Sequence, residues 1–174
     1  MTGCPVSNQE DGPNRVHSSI PRSKSGNWIY PSPEMFYNAM KKKGYDHGRE
    51  DAEIIVPIHN MINEQCWVEI MKWEKMHDCK QPMLISFCGK PKSLSPKARF
   101  LHFFGYELPF DRHDWIVDRC GKRVTYILDF YQGTKNENSL MSVHLDVRPK
   151  MTLGGFIDRV RMMLKEKIPV LPQI

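Results

Sequence analysis

The apolar periodicity of this chain turns β-like between Pro109 and Pro149, and that limits the folds open to it. Before Gly105, large apolar residues recur at helical spacing; beyond Pro109 they alternate or gather in β-branched and aromatic clusters. With 174 residues there is room for one domain with a real core and little room for two.

The individual elements follow from that division. Ser32-Pro33 is an N-cap and first-turn pair, opening a helix with Met35, Phe36, Ala39 and Met40 on one face that stops at Gly44. Tyr45 to Glu53 reads as a loop, leading through Ile54-Ile55-Val56-Pro57 into a second helix. There Ile62, Cys66, Trp67, Ile70 and Met71 keep helical spacing until about His77. Met83 to Phe87 reads as a short strand and Lys90 to Pro96 as a loop. Ser95-Pro96 then repeats the cap-and-proline start, giving a short helix through Phe103.

Trp115 to Asp118, Lys122 to Tyr131 and Leu140 to Val147 have strand composition, and the turn Gly133 to Ser139 makes the last two an antiparallel hairpin. After Pro149, Leu153, Phe156, Ile157, Val160, Met163 and Leu164 form the stripe of an amphipathic helix, weakened by Gly154 and Gly155. Helices, then strands, then a helix predict an α+β fold: N-terminal helices, a small antiparallel sheet and a C-terminal helix. Residues 1–26, rich in Ser, Asn, Pro and Gly, read as a flexible arm, and residues 27–174 as a single domain.

Composition excludes more than it selects. The net charge of +5 is spread along the chain, compatible with an acidic partner or an anionic membrane surface but too weak to argue for nucleic acid. No apolar run approaches the length of a membrane span, so a soluble or peripheral protein is expected. The N-terminus lacks the apolar core of a secretory signal, and Glu10 and Asp11 make it a poor mitochondrial presequence. The five cysteines, Cys4, Cys66, Cys79, Cys88 and Cys120, are odd in number and irregular in spacing, so free thiols are expected rather than a disulfide framework. His77, Cys79 and Cys88 match no standard zinc module. No Ser-His-Asp elbow, phosphate-cradling glycine loop or paired-carboxylate pattern supports hydrolytic or nucleotide chemistry.

The densest chemistry lies between Ile58 and Trp67. His59, Asn60, Asn63, Glu64 and Trp67 fall close together where a helix is expected to begin, so an imidazole, two amides, a carboxylate and an indole can share one side. That set suits a flat ligand needing one metal-binding nitrogen, an apolar wall and polar groups at its edge. His59 is the candidate metal ligand, against the plainer reading of a histidine that only hydrogen-bonds the chain. Trp28 and Tyr30 can line a planar ligand or pack in the core. Cys4-Pro5 is a thiolate candidate for ferric haem, although a dipeptide is a weak signal. Phe110 to Trp115, with Asp111, Arg112, His113 and Asp114, reads either as an acid–base pair or as an ion-pair network with Arg119 that pins the sheet.

These segments, taken in order, resemble the mitochondrial holocytochrome c synthases, also called cytochrome c haem lyases. The resemblance rests on Cys4-Pro5-Val6, Asn27 to Ser32, Met35 to Met40, Ile58-His59-Asn60, Asn63-Glu64-Gln65, Trp67, Glu69-Ile70 and Lys72-Trp73-Glu74. It continues through Gly105 to Trp115, Arg119-Cys120-Gly121 and Leu145 to Pro149. It implies a lyase that joins haem b (iron protoporphyrin IX) to apocytochrome c, and in some members cytochrome c1. The substrate's cysteine thiols add across the haem vinyl groups as two thioether bonds.

It further implies His59 as axial ligand to the haem iron, with Trp28, Tyr30, Asn60, Asn63, Glu64 and Trp67 shaping the haem site. The apocytochrome's own histidine would be the opposite ligand, and Glu64 and His113 are candidates for helping deprotonate the thiols. The place implied is the mitochondrial intermembrane space, peripheral on the inner membrane. A non-covalent haem carrier is the rival reading. Only one Cys-Pro unit is present where relatives often have more, which leaves haem capture by Cys4 in doubt.

Overall fold

A computed structural model of the chain describes residues 15–23, 26–45, 48–133 and 143–167. The chain divides into two compact units, Met1–Val68 and Glu69–Ile174. Helices and two antiparallel sheets, of two and four strands, make an α+β protein as the sequence predicts.

The first unit opens with a hairpin of β1 (His17–Ser23) and β2 (Gly26–Ile29), in which His17 lies opposite Ile29 and Ser23 opposite Gly26. β1 falls within the stretch expected to be a flexible arm. Its composition hides it: Ile20 is flanked by small or polar residues, yet Ile20 and Ser18 are both buried. α1 (Pro33–Lys42) begins as its cap pair dictates, with Ser32 Oγ accepting from the Met35 amide at 3.2 Å. Proline occupies the first turn, where no N–H is needed. None of its residues is buried.

α2 (Arg49–Glu74) corrects the sequence reading. It takes in residues 49–53, expected as loop, and runs through Pro57, expected as a boundary. An interior proline forfeits one backbone hydrogen bond and crowds the carbonyl four residues back, costing about 3 kcal/mol. Burial outweighs it: Ala52 and Val56 before the proline and Cys66, Trp67 and Ile70 after it are all buried along one helical track. Acidic Glu50 and Asp51 favour the helix start, and Asp51 Oδ2 accepts from the Gly48 amide at 3.1 Å. His59 consequently lies in mid-helix, not at an N-terminal end.

The second unit is built on β3 (Met83–Gly89), β4 (Asp111–Arg119), β5 (Lys122–Gln132) and β6 (Val143–Pro149), antiparallel in that order. β4 and β5 are joined at Cys120-Gly121, whose φ values of 49° and 93° are the left-handed pair that a tight hairpin needs. Asp118 Oδ1 braces that turn by accepting from the Gly121 amide at 2.7 Å. The turn expected at residues 133–139 lies, beyond Gly133, outside the described residues.

Period-two alternation sorts the strands onto two faces. One carries Trp115, Val117, Arg119, Tyr126, Leu128 and Val147, and the end of α2 and α4 (Leu153–Lys167) bond to it. Trp73 Nε1 donates to the Val147 carbonyl at 2.9 Å, and Arg119 pairs with Glu74 and Asp158. The other face carries Arg112, Asp114, Asp129 and Arg148, served by α3 (Pro96–Phe103) through its cap residue Ser95. Arg119 therefore does not pair with the Asp111–Asp114 cluster, as one reading of the sequence proposed. That cluster is closed within itself and with Lys90: Arg112 with Asp114, His113 with Asp111, Lys90 with Asp114.

Cys79, just past α2, is disulfide-bonded to Cys120 in the β4–β5 turn, with Cα atoms 5.7 Å apart. This overturns the expectation of free thiols at those two positions. An odd cysteine count does not forbid one bridge, and among the described residues Cys66 and Cys88 form none. Closing a loop of 41 residues by such a bridge restricts the unfolded chain by about 4 kcal/mol on the chain-entropy account. Among the described residues no group of three or more His, Cys, Asp or Glu side chains is placed to hold a metal ion.

The two glycines at the start of α4 are not equivalent. A methyl on Gly155 would stand 2.1 Å from the Lys150 carbonyl oxygen, and backbone cannot turn aside. A methyl on Gly154 would meet only the Lys122 ammonium at 3.7 Å. Gly155→Ala should lower stability by about 1–3 kcal/mol or more, while Gly154→Ala should be neutral or stabilising. Thermal denaturation of the two variants checks this; equal midpoints would contradict it.

Candidate haem-site face of the first unit

Four hydrogen bonds converge on one carboxylate. Ser18 Oγ donates to Glu64 Oε1 at 2.6 Å, the Ser19 amide to the same oxygen at 3.2 Å, and the Tyr30 hydroxyl to it at 2.8 Å. Ser19 Oγ donates to Oε2. Ser18 and Ser19 come from β1, Tyr30 directly follows β2 and Glu64 comes from α2, so a single anion ties the hairpin to the helix. The Tyr30 hydroxyl also lies 3.5 Å from the Asn60 carbonyl, one turn before Glu64. Arg15 closes the hairpin end by donating to the Ile29 and Tyr30 carbonyls.

This arrangement shifts the titration of both partners in opposite directions. Burial alone would raise the Glu64 pKa, but the bonds from Ser18, Ser19 and Tyr30 outweigh it and hold the carboxyl below its ordinary value. Burial and the neighbouring Glu64 anion push the Tyr30 phenol upward. Glu64 is thus a carboxylate already supplied with donors, a poor proton acceptor and a good anchor.

His59 lies on the exposed side of α2, five positions before that anchor. Its ring meets Phe36 of α1 edge-on, with centroids 5.8 Å apart. Half-buried Ile55 and Ile62, one turn to either side, and half-buried Asn63 share its side of the helix. A solvent-reachable imidazole with an aromatic edge, aliphatic flanks and one amide is a set that fits an apolar macrocycle carrying an iron atom.

Trp28, Tyr30 and Trp67 are buried, at 7%, 9% and 7% exposure, so they support this face from within rather than presenting rings to solvent. The Arg22 guanidinium covers the Trp28 ring at 4.8 Å. Cys4 lies outside the described residues. Ser18, Ser19 and Phe36 were not singled out by the sequence as site residues; the only hint of the first two was the lone apolar Ile20 beside them.

His113 belongs to the second unit. Its Nε2 lies 3.0 Å from Asp111 Oδ2 and its ring meets Phe130 edge-on at 5.1 Å, while its Nδ1 is buried without a hydrogen-bond partner. Burial lowers its pKa against the opposing pull of Asp111, which favours the neutral ring.

A carboxylate whose folded-state pKa is depressed stabilises the fold above its unfolded value and loses that contribution as pH falls through the folded one. Wild type should therefore be more stable than Glu64→Gln at neutral pH, with the gap closing below pH 4.5, the ordinary value for this group. Urea midpoints across pH measure it; a gap independent of pH would show that the charge is not what anchors the hairpin.

Comparison with known proteins agrees with the resemblance carried by the sequence. The profile of the family described as "Cytochrome c/c1 heme lyase" matches residues 7–163. A putative holocytochrome-c1 synthase of Schizosaccharomyces pombe is 49% identical over 156 residues, covering 84% of this chain and 72% of that protein. The holocytochrome c-type synthase of Homo sapiens is 48% identical over 158 residues, covering 85% of this chain and 59% of its own length. The holocytochrome-c synthase of Saccharomyces cerevisiae is 44% identical over 183 residues, covering 88% and 68%. The chain thus spans about three-fifths of the vertebrate relatives it matches. No solved structure matches it. With the profile covering most of its length, the chain belongs to the cytochrome c/c1 heme lyase family.

Proposed function

We propose that this chain is a holocytochrome c synthase, with haem b and apocytochrome c, or cytochrome c1, as its substrates. The observation that carries the reading is His59: in a chain of this family, it is an imidazole reachable from solvent on a helix face whose neighbouring groups are fixed. His59 holds the haem iron from one side and the histidine of the substrate's Cys-x-x-Cys-His segment takes the other. With the macrocycle pinned, each cysteine sulfur bonds to a vinyl carbon and the thiol proton ends on the vinyl's other carbon. No protein nucleophile is required, and catalysis is largely positioning.

Glu64 serves as a positioning residue rather than a base, since its oxygens already accept four hydrogen bonds. Trp28, Tyr30, Asn60, Asn63 and Trp67 shape the wall behind the haem, and Cys4 is a weaker candidate for haem capture. His113, the other candidate that the resemblance names for accepting a thiol proton, lies in the second unit with its Nδ1 buried. The proposed place of action is the mitochondrial intermembrane space, peripheral on the inner membrane. The absence, among the described residues, of a helix long and apolar enough to cross a membrane is compatible with that placement.

Co-expression with apocytochrome c in bacteria lacking their own c-type maturation should give a haem-stained cytochrome band on a denaturing gel. A substrate whose Cys-x-x-Cys cysteines are replaced by serine should give none. A red, haem-loaded protein with no stained cytochrome would establish a non-covalent carrier instead.

A further inference from the structure

α4 is turned inside out. Gly155, Asp158 and Met162, at helical spacing, form its inward side, with Asp158 Oδ2 3.3 Å from Arg119 and 3.2 Å from His77 Nε2. The apolar stripe that the sequence marks as the natural core face lies opposite. Leu153 is 88% exposed, and Phe156, Ile157, Val160, Met163 and Leu164 are all exposed with it. An amphipathic helix ordinarily buries that stripe. Here the Arg119–Asp158 ion pair holds the helix by its polar side, so the stripe is offered outward.

The charges around the stripe say what it suits. Arg161 and Lys165 flank one edge and are exposed; half-buried Arg159 flanks the other, its guanidinium donating to the Pro149 carbonyl. Exposed Lys122 and Lys150 stand near its first turn. Among the described side chains of α4 the sole carboxylate is Asp158, and it is buried. An apolar face bordered, among the described side chains, by cations, on a helix whose described residues are too few and too charged to span a bilayer, has the signature of a helix lying in a membrane interface.

We propose that α4 is a membrane-docking element that lays Leu153, Phe156, Ile157, Val160, Met163 and Leu164 into an anionic lipid surface. Arg161, Lys165, Lys122 and Lys150 meet the headgroups. This gives the peripheral placement proposed above a specific surface, and it stands whether or not the chain attaches haem. The apolar stripe supplies depth and the cations supply the preference for anionic lipid, which salt weakens.

The test is co-sedimentation of the full chain with vesicles of phosphatidylcholine alone or mixed with an equal part of phosphatidylglycerol. The chain should pellet with the anionic vesicles, less with the neutral ones, and less again as salt is raised. Combining Phe156→Ser, Ile157→Ser and Val160→Ser should weaken that partition roughly tenfold or more. These side chains are exposed, so the thermal midpoint should not fall. Arg161→Glu with Lys165→Glu should remove the preference for phosphatidylglycerol. The proposal is overturned if wild type stays in solution with both vesicles, or if the triple serine variant pellets as wild type does. It is equally overturned if sedimentation velocity shows a dimer that the triple variant abolishes, which would make a second copy the occupant. Haem attachment is scored separately on the stained gel, so failure here is distinguishable from failure of the synthase reading.

Discussion

The arrangement of the first unit depends on the Glu64 carboxylate. Without it, β1 and β2 would be an irregular two-stranded hairpin, and isolated hairpins of that size are marginal in water. With it, both strands are bonded to the middle of α2 through Ser18, Ser19 and Tyr30. The cost of partly desolvating a carboxylate is offset by charge-assisted bonds, each worth more than a neutral one. The anchored stretch of α2 is the one that carries His59, Asn60 and Asn63. The backbone that carries them is therefore tied to the hairpin, as the proposed reaction, run by positioning, would require.

Charge plays a different part in the second unit. Arg119 bridges Glu74 and Asp158 on one face of the sheet, with the Tyr126 hydroxyl donating to Glu74 at 2.6 Å. Arg148 reaches Asp129 and Asp146 on the other, with Ser95 donating to Asp129 at 2.6 Å. Such buried networks seldom add net stability over an apolar core, but losing one partner strands the rest at several kcal/mol. They do impose geometry. The Arg119–Asp158 pair decides which side of α4 faces the sheet, and the apolar stripe is exposed as a result.

The sequence carried most of the helices and strands because their signals are local. Ser32-Pro33 and Ser95-Pro96 marked two helix starts to the residue, and β-branched runs marked β4 and β5. It misplaced features decided at a distance. β1 looks disordered because its order comes from Glu64, far along the chain. Residues 45–53 look like a loop and Pro57 like a boundary, but the helix begins at Arg49 and a buried stripe on both sides of Pro57 carries it through. Cys79 and Cys120 could not be paired from spacing, since their approach needs the turn at Cys120-Gly121. For the site, His59, Asn60, Asn63 and Glu64 were legible as a cluster, but Glu64's engagement with serines was not.

His59 as the ligand to haem iron is the central proposal, and the absorption spectrum of the haem-loaded chain tests it most directly. Wild type and His59→Ala, purified after the same haem supplementation, are compared in the ferric and ferrous states. The low-spin, nitrogen-ligated spectrum of wild type should disappear in the variant, whose thermal midpoint is measured alongside to show that it is folded. A variant that retained the wild-type spectrum would place the iron on another residue and contradict the reading of this face.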